Sequence, residues 1–208
     1  MSKVIISLAP IGNIKEEIDI DKLVKEIITC KRLGASMVHL HVVDRLGRFT
    51  SDLEVFDSIV RKVKEVEDII VEGSTGGLSN LDVRSRSICL EYPLIEASSL
   101  NMGSVNMGDD VYINRLPDII WWAELIKKRN LSYQLEIFDL SMIYTAEKLI
   151  QEGLIGKDAI FNICLGFDSA LPATQDVLLT MVNSIPKERK WGFIHHNFSN
   201  FRLIAVAI

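Results

Sequence analysis

His39 and His41 stand two residues apart inside the short apolar run 37–43. In an extended strand, residues i and i+2 project from the same face, so both imidazoles point the same way. Two neutral imidazoles so placed can chelate a transition metal such as Zn²⁺. The other reading of the pair is two polar side chains satisfied by local hydrogen bonds. The chain holds four histidines in all. The remaining two, His195 and His196, are neighbours facing opposite sides of their run, so at most one of them could reach the same centre.

Three further stretches could carry chemistry. Glu72-Gly73-Ser74-Thr75-Gly76-Gly77 closes an apolar run with paired glycines and two hydroxyls. Such a segment can turn sharply and bring backbone amides to an anion, or it can be a plain strand-to-helix turn. Residues 98–108 alternate small and amide side chains, among them Ser99 and Asn101, which suit hydrogen bonding to a carbonyl or carboxylate. They equally suit a tight loop without a ligand. Glu136 sits within an apolar run, where a carboxylate is costly unless paired or coordinated. It is either an acid–base or supporting group for the histidine pair, or half of an ion pair with a Lys or Arg.

Each of these residues lies in or at the end of a run that reads as a strand. Apolar runs occur at 4–8, 37–43, 69–72, 97–102, 135–138, 160–165 and 191–194. Amphipathic helical patterns separate them. Residues 19–33 place Leu23, Val24, Ile27, Ile28 and Leu33 on one face, with Asp19 or Asp21 as N-cap and Gly34 as the stop. Ser51 and Glu54 have capping-box spacing ahead of Phe56, Ile59, Val60 and Val63. A weaker helix spans 81–90. Pro117 opens a helix with Ile119, Ile120, Ala123 and Ile126 inside. Helices at 141–152, 174–184 and 198–208 complete the set.

Strand starts recur about every 30 residues, the length of one βαβ unit, which predicts a parallel sheet covered by helices. A doubly wound sheet and a (β/α)₈ TIM barrel both fit. The single glycine in Ala9-Pro10-Ile11-Gly12-Asn13 is no dinucleotide fingerprint, which favours the barrel. About seven βα units are present, so the prediction is one α/β barrel domain over 1–208 lacking its last unit.

Composition narrows the function classes. Of 208 residues, 23 are Lys or Arg and 28 Asp or Glu, a net charge of −5. That balance offers no field to attract nucleic acid or an anionic membrane surface. Hydrophobic residues at 48% and charged residues at 25% describe an ordinary globular chain. No apolar run approaches the ~20 residues of a membrane helix. Cys30, Cys89 and Cys164 are scattered, without a paired framework, so reduced thiols in a cytoplasmic protein are expected. The N-terminal apolar run is too short for a signal peptide.

Taken together, His39-Leu40-His41, Ser74-Thr75-Gly76-Gly77, Leu100-Asn101-x-Gly103-Ser104-x-Asn106-x-Gly108 and Glu136-x-Phe138 resemble the β-keto acid cleavage enzyme family, over roughly residues 3–191. The resemblance implies a zinc-dependent (β/α)₈ barrel that exchanges acyl groups between a β-keto acid and acetyl-CoA, giving acetoacetate and a new acyl-CoA. By that match His39 and His41 are metal ligands. Ser74, Gly77, Ser99 and Asn101 hold the keto acid, and Glu136 is an active-site carboxylate. A homo-oligomer is expected.

The chain also departs from the family. A Glu within an R-x-G-x-E-D stretch on the family's last strand completes its zinc site, and no such stretch occurs here. Where the family has a Gly-rich turn with Arg, this chain reads His195-His196-Asn197-Phe198. The acidic residue that meets the substrate amine in the aminohexanoate-cleaving members is Ile14 here, which implies a β-keto acid without that amine. Three readings of the short C-terminus follow: a chain that oligomerises through its open sheet edges, a fragment of a longer gene product, or a copy whose reading frame drifted near 191; the alternative function is a non-catalytic or truncated member that folds or binds metal without turnover. A metal-dependent amidohydrolase would need further His and an Asp on later strands, and strands three to six carry no His.

Overall fold

Strand and helix alternate along the chain because the hydrophobic period switches between two and 3.6. The computed structural model describes residues 4–11, 17–78, 80–196 and 200–208. It divides into two compact units, residues 1–98 and 99–208.

The first unit begins with β1 (Ser7–Leu8) and α1 (Ile20–Arg32). Asp19 is the N-cap of α1, its carboxylate accepting from the Lys22 amide at 3.0 Å. Leu23, Val24 and Ile27 form the buried stripe. Leu33, expected on that stripe, is exposed instead, because it caps the helix before Gly34 turns the chain at φ +115°. Next come β2 (Met37–Leu40), α2 (Glu54–Lys64) and β3 (Ile70–Gly73).

The Ser51–Glu54 capping box does not form. Thr50 Oγ1 accepts from the Asp52 amide at 3.1 Å and Asp52 Oδ1 from the Glu54 amide at 2.9 Å. These two turns hold the chain out of the helix until Leu53, the N-cap of α2. Phe56, Ile59, Val60 and Val63 are buried as the pattern requires. The weak pattern at 81–90 resolves into α3 (Val83–Arg86) and a 3₁₀ turn (Ile88–Glu91), ahead of β4 (Ala97–Asn101). Parallel pairing joins β1 to β2, β2 to β3 and β3 to β4.

The second unit opens inside β4. A hairpin of β5 (Val105–Met107) and β6 (Asp110–Tyr112) follows, turning at Gly108 with φ +64°. The small and amide side chains of this stretch predict a loop at the strand end instead. The strands are only three residues each, too short for alternation to register. The chain continues through α4 (Leu116–Lys128), β7 (Ser132–Ile137), α5 (Leu140–Gln151), β8 (Ile160–Leu165), α6 (Gln175–Ser184), β9 (Lys190–His195) and α7 (Arg202–Ala207). Strand order here is β4-β7-β8-β9.

The inner face of α4 carries Trp122 with Ile119, Ala123 and Ile126, while Ile120 is only half-buried. Burying one such large side chain stabilises by ~1.5–3 kcal/mol. Leu135 and Ile137 of β7 and Phe161, Ile163 and Leu165 of β8 are buried on one face of each strand. The opposite face carries Gln134, Glu136 and Asn162. Among the described residues, no helix is long and apolar enough to cross a membrane.

Candidate functional site

Parallel pairing of β2 with β3 sets His39 directly beside Glu72. Paired residues of neighbouring strands share a face, so His39, His41, Glu72 and Ser74 form one polar cluster on an otherwise apolar pair of strands. His39 Nδ1 stands 3.2 Å from Glu72 Oε2. His41 Nδ1 is 3.3 Å from the Gly76 carbonyl oxygen. Both partners are acceptors, so each ring can donate through Nδ1–H and present its Nε2 lone pair to a metal ion.

The two Nε2 atoms face each other at 3.3 Å. Two lone pairs at that distance repel unless a cation or a proton lies between them. The spacing also fits a metal: two imidazole nitrogens at ~2.0–2.1 Å from a tetrahedral Zn²⁺ are roughly 3.3–3.4 Å apart. Burial first, and then the neighbouring His39, lowers the His41 pKa to about 3, against the opposing Gly76 hydrogen bond. His41 is therefore the neutral imidazole that metal ligation requires. The donor set fits Zn²⁺ as two of its ligands. Among the described residues, no group of three or more His, Cys, Asp or Glu could hold the ion.

The Ser74–Gly77 segment turns beside this pair. Ser74 Oγ accepts from the Gly76 amide at 3.0 Å, a hydroxyl-closed turn, and the Thr75 carbonyl accepts from Arg86 Nε at 3.2 Å. Burial pushes the Cys89 thiol up to about 12, so it stays protonated and donates to the Ser74 carbonyl at 3.2 Å. Gly77 takes φ +122°, a conformation L side chains rarely adopt. Phe49 packs edge-on to His41, ring centroids 5.3 Å apart, and borders a small cleft with Val42, Thr50, Ser74, Gly76 and Arg86.

The second unit holds the other predicted residues. Ser99 and Asn101 are buried on β4. Asn101 Oδ1 accepts from the Gly103 amide at 3.1 Å, which fixes the amide's orientation. Its Nδ2 is buried and has no hydrogen-bond partner among the described residues. Glu136 is half-buried on β7 and paired in register with Asn162 of β8. Asn162 Nδ2 donates to Gln134 Oε1 at 3.0 Å, so this face of the strands is polar.

His39, His41, Ser74 and Gly77 are thus brought together in the first unit, and Ser99, Asn101 and Glu136 lie in the second. His195 belongs to β9, and His196 stacks on Phe167 with centroids 4.4 Å apart. Ile14 lies outside the described residues. Two residues escaped the sequence reading. Glu72 carried the same signal as Glu136, an acid inside an apolar strand. Phe49 carried none, since one aromatic in a loop has no period.

A model of the beta-keto acid cleavage enzyme family matches residues 3–208. The 3-keto-5-aminohexanoate cleavage enzyme of Acetoanaerobium sticklandii is 31% identical over 193 residues, covering 91% of this chain and 70% of that enzyme. The 3-oxoadipate:acetyl-CoA acetyltransferase of Cupriavidus necator is 32% identical over 154 residues, covering 73% of this chain and 53% of the relative. ObcA, solved in a ternary complex with a C4-CoA adduct and oxalate, matches with a TM-score of 0.63 at 22% identity. That match covers 73% of this chain and 37% of ObcA, and it speaks to fold alone. The fold is α/β of the TIM-barrel type, with seven strands alternating with helices besides the hairpin.

Proposed function

The chain belongs to the beta-keto acid cleavage enzyme family, and from that premise we propose that it exchanges acyl groups between a β-keto acid and acetyl-CoA at a zinc ion held by His39 and His41. The bond between the α and β carbons of the keto acid breaks. Its acyl part passes to the CoA sulfur, and the acetyl group of acetyl-CoA joins the remaining two-carbon carboxylate as acetoacetate. Relatives named for acetyl-CoA transfer support the co-substrate.

The observation that carries this reading is the pair of facing Nε2 atoms at 3.3 Å, each ring held from behind through Nδ1. Bound there, zinc supplies a Lewis acid for the β-keto oxygen. The protein's own residues do the rest. The hydroxyl of Ser74 and the backbone at Gly77 hold the keto acid's carboxylate. By the family resemblance, Ser99 and Asn101 donate to its oxygens. Glu136 moves the proton at the carbon between the two carbonyls. With Ile14 in place of an acid, the preferred substrate lacks a 5-amino group. Exposed Val4, Ile5 and Ile6 in the first unit, and Trp191 and Ile194 in the second, support a homo-oligomer. Reduced cysteines support a cytoplasmic site of action.

Zinc content of the purified 208-residue chain tests the reading. About one zinc per chain, lost in His41→Ala, is the expected result. Acetyl-CoA consumption with a panel of β-keto acids should then disappear in His39→Ala. A folded chain that takes up no zinc overturns the proposal.

A further inference from the structure

We infer that Glu72 is a positioning residue, which holds His39 in the tautomer and orientation needed to bind a metal ion. The inference rests on the proposed zinc site and deepens it. Glu72 is 4% exposed, in a strand whose neighbours Val71 and Gly73 are also buried. An acid in that position is costly unless its oxygens are engaged. Among the described residues, no Lys or Arg forms an ion pair with it, and its charged-group contact is His39 Nδ1 at 3.2 Å.

Backbone pairing makes this contact unavoidable. The β2–β3 register places His39 opposite Glu72, and the Ser74 amide donates to the Leu40 carbonyl at 3.0 Å just beyond, which locks the register. The carboxylate therefore meets the ring from behind. An acceptor at Nδ1 keeps the proton there, frees the Nε2 lone pair toward His41, and makes that nitrogen more electron-rich. His41 receives the equivalent support from a neutral carbonyl, that of Gly76. The two rings are thus held by different groups, and a substitution at residue 72 addresses only one of them.

The test compares the wild-type chain with Glu72→Gln and Glu72→Ala. Zinc affinity is measured by competition with a chromophoric chelator. Imidazole nitrogen shifts are recorded by NMR on the metal-free chain. Glu72→Ala should weaken zinc binding by about 10–100-fold. Glu72→Gln, which keeps an acceptor oxygen without the charge, should fall between. In the metal-free spectra the His39 Nδ1 signal should lose its hydrogen-bonded shift in Glu72→Ala while that of His41 Nδ1 stays in place. If the alanine variant does not fold, the isosteric glutamine variant carries the comparison. Unchanged zinc affinity and an unchanged His39 Nδ1 shift in the folded variants overturn the inference. A wild-type chain that binds no zinc overturns the functional reading instead, and the Nδ1 shift then still decides the role of Glu72.

Discussion

Phe49 occupies the space that a side chain at Gly77 would need: a Cβ built there would overlap the ring at Cζ, Cε1 and Cε2. The ring is held in place. Val43 and Phe49 form an antiparallel bridge, and Asp44 closes the loop between them by accepting from the Leu46 and Arg48 amides at 2.9 and 3.0 Å. The same ring packs edge-on against His41.

Gly77→Ala should accordingly suffer twice, from backbone strain at φ +122° and from collision with Phe49. Strain of that kind costs ~1–3 kcal/mol. The double variant Gly77→Ala/Phe49→Ala relieves the collision but not the strain. Chemical denaturation should show the double variant losing less than the sum of the two single losses. Strict additivity would mean that the ring and the glycine are independent.

The depressed His41 pKa makes a prediction about pH. Its folded value is about 3 against an ordinary 6.5, so between those values the unfolded chain binds a proton that the folded chain refuses. Stability is fully present above pH ~6.5 and declines as pH falls toward 3. Urea midpoints of the metal-free chain at pH 8, 6 and 5 should drop more steeply in wild type than in His41→Gln, which cannot titrate. Parallel profiles would sink the assignment.

The ion pair between Arg189 and Glu147 is the one whose loss should be felt. Arg189 Nε and Nη2 donate to the two carboxylate oxygens at 2.7 and 3.0 Å, and Nη1 donates to the Lys157 carbonyl at 3.1 Å. Both side chains are largely shielded, at 11% and 17% exposure, so the fork ties α5 to the start of β9 in a low-dielectric setting. Arg189→Ala leaves a partly shielded carboxylate without its partner and should destabilise by ~1–3 kcal/mol. Arg45→Ala, which breaks an exposed pair with Glu54, should change stability by ~0.5 kcal/mol or less. Denaturation midpoints of the two variants settle the contrast.

Much of this architecture was legible in the sequence, for identifiable reasons. The seven strands of the parallel sheet fall within about three residues of the predicted runs because each is a short apolar run bounded by polar or turn residues, and α1 is legible because Asp19 and Gly34 mark its ends. The apolar run 4–8 predicts a longer first strand, but only Ser7 and Leu8 pair, and Val4, Ile5 and Ile6 are exposed. Where two local signals competed, the reading failed: Ser51 has capping-box spacing, yet Thr50 and Asp52 use the nearby amides first. In the site, the His39–His41 relationship follows from spacing of two in a strand. The Glu72 and Phe49 relationships need the register between strands and the path of a loop, which no single segment encodes.

Asn101 makes the sharpest prediction for the second unit. Its Oδ1 is committed to the Gly103 amide, and the loop beyond is pinned by Asn114, whose Nδ2 reaches the Gly103 and Tyr112 carbonyls at 3.3 Å. Among the described residues the buried Nδ2 of Asn101 meets no acceptor, which costs ~1–3 kcal/mol. A ligand oxygen would recover it. Asn101→Asp keeps the acceptor for Gly103 and replaces only the donor, so the loop should retain its path while a carboxylate substrate is repelled. The expected result is a rise of at least tenfold in KM for the keto acid, with KM for acetyl-CoA changed much less. Asn101→Ala also frees the Gly103 amide and should lower stability by about 1 kcal/mol. An Asn101→Asp chain whose keto-acid KM is unchanged would show that this amide serves the loop alone.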